Sequence, residues 1–118
     1  MIDWTPVCSL DALIPDVGVR ALVGEEQVAL FRLSGLGEVF AIDAFDPFSK
    51  APVLSRGIVG DLNGQLVVAS PIFKQHFNLE TGSCLEDAAM SVRTYQTRVV
   101  AGRVEIASGL SRGNGEGR

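Results

Sequence analysis

Residues 44–85 read AFDPFSKAPVLSRGIVGDLNGQLVVASPIFKQHFNLETGSCL, and this stretch decides the fold. It contains two short loops, Asp46-Pro47-Phe48 and Ser70-Pro71-Ile72-Phe73, and each loop follows an apolar segment that predicts a strand. Because proline fixes the backbone angle φ, it favours one defined conformation in each loop. The repeat of a strand and a proline loop therefore predicts a matched pair of loops.

Turn signals within and around this stretch predict an all-β chain. Asn63-Gly64 favours a type I′ turn, since both central residues of that turn need positive φ, so residues 58–62 should pair antiparallel with residues 65–69. No segment keeps a helical period over about ten residues, which argues against long helices. Further strands are predicted at residues 4–8, 18–23, 27–33, 39–42, 77–79, 95–100 and 103–106, with one helical turn at residues 9–13 capped by Ser9.

The pair of loops resembles the cluster-binding half of a Rieske iron–sulfur domain. In that family the loops read C-P-H and C-P-x-H, and two cysteines and two histidines hold a [2Fe–2S] cluster. The resemblance places Asp46, Phe48, Ser70 and Phe73 at the four ligand positions. None of these side chains supplies a thiolate or an imidazole, so we expect no cofactor and no metal on this chain.

The same resemblance implies the architecture: an all-β, Rieske-like antiparallel β-sandwich with a cluster-less loop subdomain. At 118 residues, the chain is expected to form a single domain over residues 1–107. Its core would comprise residues 1–43 and 86–107, and its former cluster-binding subdomain residues 44–85. The glycine-rich segment SGLSRGNGEGR, residues 108–118, is expected to be a disordered tail.

Composition and charge exclude several classes of partner. Ten basic and fourteen acidic side chains give a net charge of -4, and the cations are scattered along the chain, so we expect no nucleic-acid binding. The apolar runs are far shorter than the roughly 20 residues that span a bilayer, and the N-terminus lacks the features of a secretory signal. We therefore expect a cytoplasmic protein without a membrane partner, in which Cys8 and Cys84 are free thiols.

Catalytic and metal-binding patterns are weak in this sequence. His76 is the only histidine, and Cys8 and Cys84 lack the spacing of a thiolate metal site. A Cys84–His76 nucleophile pair is conceivable, because the two residues flank one predicted hairpin, but it has no identifiable third group. Several carboxylates could bind a hard cation, although solvated side chains and turn caps are the preferred interpretation: Asp43, Asp46, Asp61, Glu86 and Asp87.

The loops suggest a recognition surface instead. If they meet at a tip, as the Rieske resemblance implies, Phe48 and Phe73 could pack as an aromatic plug in place of the metal, or one or both rings could remain exposed. A basic and amide surface surrounds the same tip, and it is either a solvated rim or a docking surface. As a docking surface it would comprise Phe48, Lys50, Arg56, Lys74, Gln75 and His76.

The sequence is similar to the small subunit of NAD(P)H-dependent assimilatory nitrite reductase. The matching segments are VCSL at residues 7–10, DPFS at 46–49, VLSRGIVGD at 53–61, SP at 70–71, KQHF at 74–77 and CLED at 84–87. The resemblance implies a cytoplasmic accessory subunit, without a catalytic centre of its own, that docks on a large subunit. That large subunit would carry FAD, a [4Fe–4S] cluster and sirohaem and would reduce nitrite to ammonium. The alternative is a Rieske-type, ferredoxin-like electron carrier or a small-ligand binding module.

Overall fold

The computed structural model describes residues 3–35 and 37–108 of the chain. In these residues it contains ten β-strands and three short 3₁₀ helices, and no α-helix. The strands are β1 (Asp3–Ser9), β2 (Val19–Val23), β3 (Glu26–Arg32), β4 (Val39–Asp43), β5 (Ile58–Leu62), β6 (Gln65–Ala69), β7 (His76–Asn78), β8 (Thr94–Tyr95), β9 (Thr97–Val100) and β10 (Arg103–Ser108). The 3₁₀ helices are Leu10–Ala12, Leu54–Arg56 and Ala88–Met90.

The strands form three antiparallel sheets, with the orders β1-β10-β9, β2-β3-β4-β8 and β5-β6-β7. The predicted Asn63-Gly64 turn joins β5 to β6, with φ angles of 54° and 84° at its two residues. Such positive φ values are what a type I′ turn requires. The all-β, antiparallel architecture expected from the sequence is therefore confirmed.

One face of the four-stranded sheet packs against the β5-β6-β7 sheet and the loops beside it. Phe31 of β3 and Ile42 of β4 lie in the same buried cluster as Leu54, Val68 and Phe77. All five side chains are fully buried. This cluster therefore fixes the β5-β6-β7 sheet and its loops against the four-stranded sheet.

The opposite face of the four-stranded sheet packs against the β1-β10-β9 sheet. Leu30 of β3 and Ala41 of β4 lie in a second buried cluster with Val104 and Ile106 of β10. Since successive side chains of a strand point to opposite faces, β3 and β4 can contribute to both clusters only by being apolar at consecutive positions. The four-stranded sheet is thus the middle layer of three.

Two local expectations were wrong. The predicted strand at residues 95–100 is divided between β8 and β9, which belong to different sheets, and between them the Gln96 carbonyl accepts a hydrogen bond from the Ala107 amide at 3.0 Å. Ser9 precedes the first 3₁₀ helix, but its side chain makes no capping hydrogen bond. The Arg32 guanidinium instead donates to the carbonyl oxygens of Leu10 and Leu13, at 3.2 and 3.4 Å.

The predicted tail at residues 108–118 lies outside the described residues, except for Ser108 at the end of β10. No helix in the described part of the chain is long and apolar enough to cross a membrane.

The two-sided burial of β3 predicts a large effect for a truncation there. Leu30 is fully buried, so Leu30→Ala should lower the free energy of unfolding by about 2–5 kcal/mol, through lost apolar contacts and the cavity left behind. The matched control is Leu22→Ala on β2, where the side chain is 68% exposed and the change should stay within about 0.5 kcal/mol. Urea denaturation measures both, and similar values for the two variants would contradict this account.

Candidate functional site

The two proline loops begin at Asp46 and Ser70 and have the same backbone hydrogen bonds. The Asp46 amide donates to the carbonyl of Ala51 at 2.8 Å, and the Ser70 amide donates to the carbonyl of Gln75 at 2.9 Å. In each loop, therefore, the first residue binds the residue five positions later. The matched pair expected from the sequence is present, with the first loop at residues 46–51 and the second at residues 70–75.

A lysine occupies the same position in each loop. The Lys50 amide donates to the Asp46 carbonyl at 2.7 Å, and the Lys74 amide donates to the Ser70 carbonyl at 3.1 Å. Both lysines adopt positive φ, 59° and 68°, a conformation that non-glycine residues adopt only at a cost in free energy. The hydrogen bonds that close each loop hold its lysine in this conformation.

A buried hydrogen bond joins the two loops at their first residues. The Ser70 hydroxyl donates to Asp46 Oδ2 at 2.5 Å, and both residues are fully buried. The same carboxyl group accepts from the Ser49 hydroxyl at 3.0 Å and from the Phe48 amide at 2.9 Å, while Ser70 Oγ accepts from the Ile72 amide at 3.3 Å. Buried polar groups need such partners to offset their loss of hydration. We refer to the Asp46–Ser70 pair as the latch.

The sequence resemblance places the two latch residues at two of the four positions that hold a cluster in Rieske domains. The other two positions are Phe48 and Phe73, so the set supplies two oxygens and two phenyl rings, where a [2Fe–2S] cluster requires thiolate and imidazole donors. The Ser70 hydroxyl also donates its hydrogen bond to the Asp46 carboxyl group, so these two oxygens already have each other as partners. The residues present do not fit the cluster. In the described part of the chain, no three His, Cys, Asp or Glu side chains group as a metal site would require.

The two phenylalanines of the loops, Phe48 and Phe73, have different surroundings. Phe48 is half-buried against the first core cluster, and its ring centroid lies 6.2 Å from that of Phe77 of β7. Phe73, by contrast, is 56% exposed. Of the two sequence-based alternatives, an aromatic plug or exposed rings, the structure agrees with the second for Phe73, and Phe77 is the aromatic partner of Phe48.

His76 interacts with Glu86 and makes no direct bond to Cys84. Its ring Nδ1 lies 2.7 Å from Glu86 Oε2, and its amide donates to Glu86 Oε1 at 2.8 Å. Burial raises the pKa of the Cys84 thiol, whose Sγ lies 3.8 Å from Glu86 Oε1. A nucleophilic cysteine needs a lowered pKa and an adjacent base, so this geometry argues against the Cys84–His76 pair.

The residues predicted to form a docking surface are only partly available. Lys50, Arg56 and Lys74 are exposed, Gln75 and His76 are half-exposed, and Phe48 packs inwards. The sequence reasoning did not include Ile58 and Ile72, which are 75% and 50% exposed. Ile72 could have been noticed as an apolar residue in a predicted loop, whereas Ile58 resembled an ordinary strand residue.

A shallow pocket of about 240 Å³ lies beside the first loop, and it is lined by Glu25, Glu26, Gln27, Asp43, Phe45, Pro52, Arg93 and Tyr95. Arg93 Nη1 donates to Glu26 Oε2 and the Tyr95 hydroxyl donates to Glu26 Oε1, each at 2.6 Å. Burial, followed by this hydrogen bond to Glu26, raises the pKa of Tyr95 well above its ordinary value. These contacts tie β3 to β8, while Arg93 Nε is buried without a hydrogen-bond partner.

Comparisons with known proteins agree with this architecture. A family model described as a Rieske-like [2Fe-2S] domain matches residues 3–107. The nitrite reductase (NADH) small subunit of Escherichia coli strain K12 is 46% identical over 106 residues, which cover 90% of this chain and 98% of that protein. The solution structure of the nitrite reductase [NAD(P)H] small subunit from Erwinia carotovora is 52% identical, with a TM-score of 0.77 over 88% of this chain and 80% of that chain.

A third relative is a much longer protein. The nitrite reductase [NAD(P)H] large subunit of Klebsiella oxytoca is 38% identical over 105 residues, which cover 89% of this chain but only 11% of that protein. In that relative, therefore, a stretch similar to most of this chain is part of a much longer polypeptide.

The latch predicts a measurable contribution to stability. Ser70→Ala removes one donor from the buried Asp46 carboxyl group and should lower the free energy of unfolding by about 1–3 kcal/mol. Hydrogen exchange at the Phe48 amide should also become faster. The control is Ser9→Ala, because Ser9 is exposed and its side chain caps no helix. If the two variants unfold at the same urea concentration, the latch does not stabilise the loops.

The Glu86–His76 contact predicts a pH dependence of stability. Burial by itself would raise the pKa of Glu86. Hydrogen bonds from the His76 amide and ring outweigh this effect and hold the pKa of Glu86 in the folded protein below its ordinary 4.5. A carboxyl group with a lowered folded pKa stabilises the protein above its unfolded pKa, and this stabilisation is lost as the pH falls through the folded value. The stability difference between the parent chain and Glu86→Gln should therefore be present at neutral pH and disappear below pH 4.5.

The matched control for this prediction is Glu80→Gln, which replaces an exposed carboxylate in the preceding turn, at residues 79–81. Unfolding free energies measured from neutral pH to acid compare the two variants. An equal pH dependence in Glu86→Gln and Glu80→Gln would contradict a specific role for the His76 contact.

Proposed function

Because this chain belongs to the Rieske-like family of nitrite reductase small subunits, we propose that it is the non-catalytic accessory subunit of an NAD(P)H-dependent nitrite reductase. In this proposal it acts in the cytoplasm, in the assimilation of nitrate and nitrite, docked on the large subunit. The large subunit carries FAD, a [4Fe–4S] cluster and sirohaem, and it reduces nitrite to ammonium.

The observation that carries the docking proposal is the match to the Klebsiella oxytoca large subunit. There the matching stretch takes up 11% of a single polypeptide, so the Rieske-like domain and the rest of that protein are covalently linked. Linking two modules raises the effective concentration of one near the other, to the millimolar range for short linkers. A separate chain of the same family has to reach its partner by binding, and this supports a docking role.

The latch supports an accessory role over an electron-transfer role. An electron carrier of the Rieske type requires a cluster held by thiolate and imidazole groups, and the corresponding oxygens of Asp46 and Ser70 are hydrogen-bonded to each other. The loops nevertheless keep their matched backbone hydrogen bonds. Their shape is therefore available for recognition without any electron passing through this chain.

The test is reconstitution of the enzyme from its subunits. The purified chain should co-elute with the large subunit in size-exclusion chromatography and increase nitrite-dependent oxidation of NADH or NADPH. After anaerobic incubation with iron and sulfide, the chain alone should remain without visible absorption. An unrelated acidic protein of similar size provides the control. Absence of both a complex and any change in activity would contradict the proposal.

A further inference from the structure

Three large apolar side chains are exposed at one end of the β5-β6-β7 sheet. Ile72 and Phe73 lie in the second loop, where they are 50% and 56% exposed, and Ile58 at the start of β5 is 75% exposed. Ile58 pairs with Ala69, the residue immediately before the second loop, so all three lie at the same end of the sheet. We refer to Ile58, Ile72 and Phe73 as the apolar tip.

The segments that carry the apolar tip differ in charge from the rest of the molecule. Residues 47–60 and 70–76 contain Lys50, Arg56 and Lys74 and no aspartate or glutamate, whereas the remaining chain has seven basic and fourteen acidic side chains. Asp46 at the base of the loops is fully buried, and Glu86 faces this end in its contact with His76. A cationic end on an anionic protein favours one orientation of approach to an acidic partner.

Side-chain hydrogen bonds and one close backbone approach hold the tip in place before any partner binds. The latch joins the loops, and the Lys74 ammonium donates to the Pro71 carbonyl at 3.2 Å within the second loop. Gly57 allows the segment before β5 to lie close to β6, because a Cβ atom there would come within 2.4 Å of the Ala69 carbonyl oxygen. A surface fixed in advance loses less conformational entropy on binding.

We propose that the apolar tip inserts into an apolar recess of the nitrite reductase large subunit whose rim is acidic, with Lys50, Arg56 and Lys74 facing that rim. The inference rests on the proposed function and specifies the docking surface. It differs from the sequence-based surface at its centre, since Phe48 packs against Phe77 and the exposed apolar groups are Ile58, Ile72 and Phe73. An apolar centre within a polar rim is the usual organisation of such interfaces.

The contributions of the charged and of the apolar side chains to binding affinity can be tested separately in the full chain. Binding to the purified large subunit is measured by isothermal titration calorimetry at low and high salt. Phe73→Ser and Ile72→Ser should each raise Kd by about tenfold or more at both salt concentrations. Lys74→Glu should raise Kd strongly at low salt and less at high salt, because ions screen exposed charges.

Each variant has a matched control away from the tip. Leu22→Ser replaces another exposed apolar side chain, on β2, and Arg103→Glu reverses an exposed charge on β10. Both should bind like the parent chain. Circular dichroism checks that the variants remain folded. If Phe73→Ser unfolds, Ile72→Ser alone tests the apolar contribution to binding.

The outcomes separate the inference from the proposed function. If the parent chain does not bind the large subunit, the proposed function fails, and the inference fails with it. If the parent chain binds and the tip variants bind equally well, the inference is overturned while the proposed function stands. If the tip variants lose affinity and the two controls do not, the apolar tip is the docking surface.

Discussion

The burial of both faces of β3 and β4 is the constraint on which the rest of the structure depends. A strand covered on one side only can alternate apolar and polar residues, but these two strands are apolar at consecutive positions. Phe31 and Ile42 face the loop subdomain, and Leu30 and Ala41 face the β1-β10-β9 sheet. Because the same two strands serve both cores, the loops are fixed relative to the whole molecule.

The shape of the two loops depends on groups of the chain itself. Their geometry depends on two prolines, on four matched backbone hydrogen bonds and on the latch, and none of these requires a thiolate or an imidazole. A buried carboxyl group is costly unless its hydrogen bonds are made, and Asp46 accepts three. A hydrogen bond between side chains of this chain therefore joins the two loops at their first residues.

The consequence for function is a rigid end of the molecule on which apolar and cationic groups coexist. Exposed Ile58 and Phe73 have no evident use in the fold, since both cores are complete without them. In the proposed docking, the charges of the neighbouring Lys74 and Arg56 would guide the encounter, and burial of the apolar side chains would supply affinity. In the pocket beside the first loop, Arg93 and Tyr95 both donate to Glu26, and these bonds join β8 and the residue before it to β3.

The sequence alone determined whatever depends on neighbouring residues or on the chemistry of single side chains. Asn63-Gly64 specified its turn because few other residues tolerate positive φ, and the absence of cysteine and histidine from the loops ruled out the cluster ligands. Only the tertiary structure decided which surface each side chain meets. Phe48 and Phe73 are equivalent in sequence, but Phe77 of a distant strand covers the first and leaves the second exposed, and local pattern carries no information on contacts between residues so far apart along the chain.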